Sequence, residues 1–143
     1  MTTTDTHLPT DPRADTAVVA EVYAAFGRGD LARIAELFAD DGLISQSPAL
    51  PWGGTHTGPQ GLVSFLGTLT SHVASTPVTE RLFADGAGRV VQVGRTRGTV
   101  RANGAAFDVP EVHVWTVAGG RVQRFEAYLD TPAMRAALDR PAP

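Results

Sequence analysis

The sequence predicts an α+β domain, with helices first and an antiparallel sheet after them. Three observations carry that expectation. Apolar residues recur at helical spacing in three stretches before residue 74, then alternate from residue 78 onward. Turn signals at Asp85-Gly86, Asn103-Gly104 and Gly119-Gly120 punctuate the second half as a meander would need. After Asp130 the pattern returns to helical spacing. Helices and strands segregated in this way indicate a sheet of about four to five strands packed against three N-terminal helices, with a short C-terminal helix.

Each element has its own signal. Over residues 16–26, Val18, Val19, Val22, Tyr23 and Phe26 form one stripe, with Asp15 placed to cap it and Gly27 and Gly29 to end it. Asp30 then caps a second helix with the stripe Leu31, Ile34, Leu37 and Phe38. Asp40, Asp41 and Gly42 read as a turn, and 43–47 as a short strand. Residues 47–58 hold Pro48, Pro51, Trp52, Gly53, Gly54 and Gly58, a loop composition in which Trp52 needs something to pack on. His56 lies in the same stretch and reads as a solvated loop residue or part of a lid. Pro59 opens a third helix over 60–73, where a proline forfeits no hydrogen bond. Strands follow over 78–84, 89–102, 106–117 and 121–129, and Asp130 caps the last helix, 131–138. No internal repeat interrupts this order. The expected layout is a disordered leader over 1–14, one domain over 15–139 and a tail over 140–143.

Composition narrows the function. The 143 residues are 43% hydrophobic and 19% charged, enough apolar surface for one real core. The formal net charge of -3 argues against a nucleic-acid partner, which needs a basic face. The chain has no cysteine, which excludes disulfides, thiolate chemistry and cysteine-held zinc. No apolar run approaches a membrane span, and the first residues lack the basic start and apolar middle of a secretory signal. The expectation is a cytoplasmic protein with no membrane partner. No phosphate-binding loop, dinucleotide loop or Gly-x-Ser-x-Gly elbow occurs. His7, His56, His72 and His113 lack metal-ligand spacing, so neither a metal nor a bound cofactor is expected.

The segments VYAAFGRGDLARIAELFADDG, PWGGTHTGPQGLVSFL, HVWTVAGGRVQRF and AYLDT resemble the nuclear transport factor 2-like superfamily, in particular its SnoaL-like branch of polyketide cyclase and ketosteroid isomerase-like proteins. The resemblance spans about residues 16–138. It implies a curved sheet wrapped by helices into a cone around a deep, mostly apolar, hydrophobic pocket. It does not fix the chemistry, because this fold carries isomerases, cyclases, dehydratases, epoxide hydrolases and non-enzymes. The tyrosine of ketosteroid isomerase falls on Val22, next to Tyr23, its base on Gln46 and its second aspartate on His113. The catalytic aspartate of limonene-epoxide hydrolase falls on Ala127, and its Arg-x-Asp pair on Glu111 and His113. The histidine pair of scytalone dehydratase is matched by His113 alone.

Strand alternation assigns the pocket. By the resemblance, the face carrying Val109, Glu111, His113 and Trp115 looks inward, with Phe125, Ala127 and Leu129 beside it. On the strand before, Gln92, Gly94, Thr96, Gly98 and Val100 look inward, while Arg95, Arg97 and Arg101 stay solvated. Pro110 leaves one alternative open: a bulge there would turn Glu111 out and keep His113 in. Polar groups of the pocket are then Gln46, Gln92, Thr96, Glu111 and His113. Walls include Tyr23, Trp52, Phe65, Trp115 and Phe125.

The expected function is a cofactor-free acid–base enzyme acting on a small apolar cyclic or polyketide-like molecule by isomerisation, cyclisation or elimination. His113 would move the proton, since imidazole titrates near working pH. Glu111 would tune it, and Gln46 or Tyr23 would hydrogen-bond the oxygen where charge develops. Otherwise His113 is a core histidine bonded to Gln46 or a backbone carbonyl. Two further functions remain open on these residues: a non-catalytic small-molecule binding protein, and an epoxide hydrolase with a rearranged site. The outward set Arg124, Glu126 and Tyr128 suggests a homodimer built on the outer sheet face.

Overall fold

Aspartates start three of the helices. Asp11 accepts from Arg13 N, Asp30 from Arg33 N and Asp130 from Ala133 N. Each satisfies a backbone donor that the first helical turn leaves free. A computed structural model describes residues 10–143, and residues 1–9 of the expected leader lie outside the described residues. The elements run α1 (Pro12–Gly27), α2 (Leu31–Leu37), β1 (Phe38–Gln46), β2 (Gly54–Thr57), α3 (Gly58–His72), β3 (Val73–Ala84), β4 (Arg89–Val100), β5 (Ala106–Ala118), β6 (Arg121–Leu129) and α4 (Thr131–Leu138). The fold is α+β, as its pattern of elements predicts.

Several boundaries differ from the sequence reading. The first helix starts at Pro12 and is capped by Asp11, so 12–14 are helical and Asp15 is not the cap. Pro12 is preset for a first helical position, and Asp15 is buried, accepting from the Thr10 hydroxyl. Asp40, Asp41 and Gly42 form no separate turn. They lie inside β1, at an irregularity between Phe38 and Leu43. The stretch read as a loop contains β2, which pairs antiparallel with the end of β1.

The sheet therefore has six strands, in the order β2-β1-β6-β5-β4-β3. It is mixed rather than wholly antiparallel, because β1 runs parallel to β6. The sheet is open, with β2 and β3 at its edges. Helices cover its inner face. The outer face of β4 and β5 carries half-buried Val91, Val93, Val112 and Val114.

Two contacts set the shape around the cavity. A Cβ on Gly94 or Gly98 would lie 2.0 Å from Val78 O or 1.9 Å from Ala74 O, so only glycine lets β4 close against β3 here. At the far end, the Asn103 amide in the β4–β5 turn donates to the carbonyls of Ala137 at 2.9 Å and Arg140 at 2.8 Å. That side chain ties the end of α4 onto the hairpin, and Met134 of α4 is 1% exposed beneath it. Among the described residues, no helix is long and apolar enough to cross a membrane.

Candidate functional site

Strand pairing lays the inward residues out in rows. Ile44, Phe125, Trp115 and Val90 form one row, Gln46, Ala127, His113 and Gln92 the next, and Leu129, Glu111 and Gly94 a third. Helix α1 crosses above them and lowers Val22, Tyr23 and Phe26 toward the sheet, while α3 supplies Leu62, Phe65 and Leu66. The space left between is a cavity of ≈ 100 Å³. An apolar cavity of about 150 Å³ binds benzene, so this one suits a single small ring.

Nine of the residues singled out from the sequence border that cavity: His113, Glu111, Tyr23, Gln46, Trp52, Phe65, Thr96, Trp115 and Phe125. Glu111 faces in, at 5% exposure. No bulge forms at Pro110, where β4 and β5 pair without a shift. The proline sits one residue past the last β5–β6 pair, Glu111 with Leu129, and its carbonyl accepts from Asp130 N. Its missing N–H would point toward the same vacated edge, so no ladder bond is lost. His56 is neither a solvated loop residue nor a lid. It is half-buried in β2, with its ring edge against Phe65 at 5.5 Å and Nε2 at 3.2 Å from the carbonyls of Trp52 and Gly53.

His113 bonds neither Gln46 nor a backbone carbonyl. Its Nδ1 stands 2.7 Å from the Tyr23 hydroxyl, and its Nε2 stands 3.2 Å from Glu111 Oε1. Trp115 Nε1 donates to the Tyr23 oxygen at 3.0 Å, and Gln92 Nε2 donates to Glu111 Oε2 at 3.0 Å. Indole is a donor only, so the Tyr23 oxygen accepts from Trp115. Its own O–H can turn to Nδ1, and the tautomer with that bond places the imidazole proton on Nε2, 3.2 Å from a carboxylate that Gln92 also holds. Burial pushes the Tyr23 phenol well above its ordinary value; the Trp115 N–H pulls it back, and the charge of Glu111 adds to the rise. Tyr23 is thus a hydroxyl at any working pH.

Gln92 does not border the cavity as expected. It is 0% exposed and turns along the sheet to Glu111 and to Thr79 Oγ1, at 3.3 Å. Its Oε1 has no hydrogen-bond partner among the described residues. Gly94 leaves room for this turn, since a Cβ there would come within 2.9 Å of Gln92 Nε2. Gln46 and Thr96, at 9% and 7% exposure, are the reverse case. Both border the cavity, and neither makes a side-chain hydrogen bond among the described residues.

Sequence reasoning missed Ile34 of α2, Leu62 and Leu69 of α3, Val73, Ser75 and Pro77 of β3 and Met134 of α4 as contributors. Residues 73–77 carry a proline and small polar residues, which hid the start of β3. The short α4 gave no sign of which face it buries. No group of three His, Asp or Glu side chains able to hold a metal occurs among the described residues.

Known proteins resemble this chain along most of its length. A family model described as a SnoaL-like domain matches residues 19–125. The uncharacterized protein Rv0034 of Mycobacterium tuberculosis is 34% identical over 124 residues, covering 84% of this chain and 92% of the relative. Among solved structures, an NTF2-like protein of unknown function from Burkholderia pseudomallei superposes with a TM-score of 0.82 at 27% identity, covering 89% of this chain and 98% of that one. TerC, co-crystallised with polyporic acid, superposes with a TM-score of 0.81 at 23% identity, covering 89% and 99%.

Proposed function

The chain belongs to the SnoaL-like domain family, and from that premise we propose that it is a cofactor-free acid–base enzyme acting on a small apolar cyclic or polyketide-like carbonyl compound. One observation carries the reading: Tyr23, hydrogen-bonded to His113, and Glu111, 3.2 Å from the other ring nitrogen, meet at the floor of an apolar cavity. The family membership, and the co-crystallisation of TerC, a protein of the same fold, with polyporic acid, are consistent with a small organic ligand there.

The chemistry follows from the direction of the bonds. In the empty site the Tyr23 O–H caps His113 Nδ1. A substrate carbonyl competes for that hydrogen. When the O–H rotates to the carbonyl oxygen, Nδ1 is left bare beside the substrate. Nδ1 then takes a proton from the carbon next to the carbonyl. The electron pair of that C–H bond forms the enolate, whose oxygen is held by Tyr23. The imidazolium is stabilised through Nε2 by Glu111, which Gln92 keeps as an acceptor. Return of the same proton to another carbon completes an isomerisation, and no external oxidant or reductant is needed.

Hydrogen–deuterium exchange into cyclic ketones and enones, followed by NMR, tests this without knowledge of the product. Wild-type protein is expected to speed exchange at the carbon next to the carbonyl, and His113→Ala to abolish it. Unimpaired exchange in His113→Ala would end the assignment.

A second reading, a non-catalytic binding protein, has its own observation. Both ring nitrogens of His113 are engaged inside the protein, and the carboxylates of the related enzymes stand here as Gln46 and Ala127. It expects ligand affinity to survive His113→Ala and to fall with Phe65→Ala. The epoxide-hydrolase reading lacks a carboxylate at Ala127 and is not carried further. The uncovered valines of β4 and β5 fit a contact with a second copy of the chain, which makes a homodimer part of the same proposal.

A further inference from the structure

Tyr23, His113 and Glu111 lie against one another, yet two further polar side chains at the cavity wall, Gln46 and Thr96, make no such contact, and Gln46 is the longer and the more versatile of them. Gln46 is 9% exposed, borders the cavity and has no side-chain hydrogen bond among the described residues. Its amide atoms are open to the cavity, since Gln92 Oε1 alone is a fully buried unpaired side-chain atom among the described residues, so solvent can meet them until a ligand displaces it. A ligand that displaces such water without replacing its hydrogen bonds loses affinity.

Its position relative to His113 is fixed by the sheet. Gln46 pairs with Ala127 on β6, and Ala127 pairs with His113 on β5. Two strand spacings put the Cα atoms of Gln46 and His113 about 9.5 Å apart. Ala127 projects only a methyl group between them, so the row has polar groups at two stations and a gap in the middle. The gap opens into a cavity with room for one small ring.

We propose that the substrate is a neutral single-ring carbonyl compound carrying a second oxygen function, hydroxyl or keto, and that Gln46 is the residue that selects for it. The carbonyl meets Tyr23 and His113, the ring lies over Ala127, and the second oxygen reaches the Gln46 amide. An amide donates and accepts, so it takes either oxygen function. The charge on the ligand is constrained too. No arginine borders the cavity, the chain has no lysine, and Glu111 sits under His113, which disfavours a carboxylate or phosphate at the second position. A ring with one oxygen would displace solvent from the amide and leave it unpaired, and sites built to hydrogen-bond a substrate hydroxyl discriminate strongly against analogues that lack it.

This inference rests on the acid–base reading for the placement of the carbonyl, but its test is separate. Cyclohexanone, 3-hydroxycyclohexanone and 4-hydroxycyclohexanone are titrated into the full chain and followed by NMR. At least one hydroxyketone is expected to bind about tenfold or more tightly than cyclohexanone. Gln46→Leu should erase that difference, and Tyr23→Phe should weaken all three ligands. Should Gln46→Leu fail to fold, Gln46→Met replaces it; if neither folds, Gln46 is a packing residue and the proposal falls. Equal affinity of the three ketones for wild type, a preference that survives Gln46→Leu, or no binding by any of them overturns it. Deuterium exchange catalysed without any such preference would overturn the selectivity alone and leave the acid–base reading standing.

Discussion

The Tyr23 hydroxyl lies 2.7 Å from Nδ1 of His113, 90 positions further along the chain. This bond joins the helix layer to the sheet at the floor of the cavity and engages Nδ1 of His113. Tyr23→Phe removes it and strands Trp115 Nε1 as well. We expect a stability loss of about 1–3 kcal/mol in urea unfolding, and a catalysed deuterium exchange that collapses because the enolate oxygen has no donor.

Alkaline stability reports the same side chain. Burial raises the Tyr23 phenol above its unfolded value of ~10, so the stability tied to the neutral hydroxyl is complete below that pH. Above it the unfolded chain ionises first, and stability falls by up to about 1.4 kcal/mol per pH unit from this one group. Wild type should therefore lose stability more steeply than Tyr23→Phe between about pH 10 and 11. Parallel slopes in urea titrations of the two proteins would contradict the assignment.

Gln92→Leu separates folding from function. It deletes a bond to Glu111 but also deletes the orphaned Oε1, so the net stability change should stay within about 1 kcal/mol. The chemistry should change more. Without its donor the Glu111 carboxylate is free to turn away from Nε2. Deuterium exchange catalysed by the variant should fall roughly tenfold to a hundredfold while urea unfolding changes little.

The outer face makes its own prediction. Val114→Arg places a charge among Val91, Val112 and Glu126 on the uncovered side of β5, remote from the cavity. Sedimentation should show a dimer for wild type and a monomer for the variant. A monomeric wild type at micromolar concentration would remove the dimer from the proposal.

What the sequence made legible was whatever short-range chemistry decides. Asp130 marked α4, and Gly119-Gly120 fixed where β5 hands over to β6, because a cap and a hairpin act over a few residues. Alternation put Glu111, His113 and Trp115 on one face for the same reason. The start of α1 was placed at Asp15 because that residue directly precedes the apolar stripe, whereas Asp11, followed by Pro12 at the first helical position, is the cap. The parallel pairing of β1 with β6 was not legible at all. It joins Ile44 to Phe125 across most of the domain, and nothing local to either strand specifies it. The partners of His113 were hidden likewise: parity shows that a side chain points inward, not which helix stands opposite.

The Asn103 amide fastens the end of α4 to the β4–β5 turn, and Met134 of that helix walls the cavity. The residues proposed to handle the proton sit elsewhere, on α1 and β5. On that proposal the molecule keeps its reaction and its appetite on separate stretches of chain. Exchanging one thioether near the C-terminus would retune which rings are admitted and leave the machinery beneath them as it was.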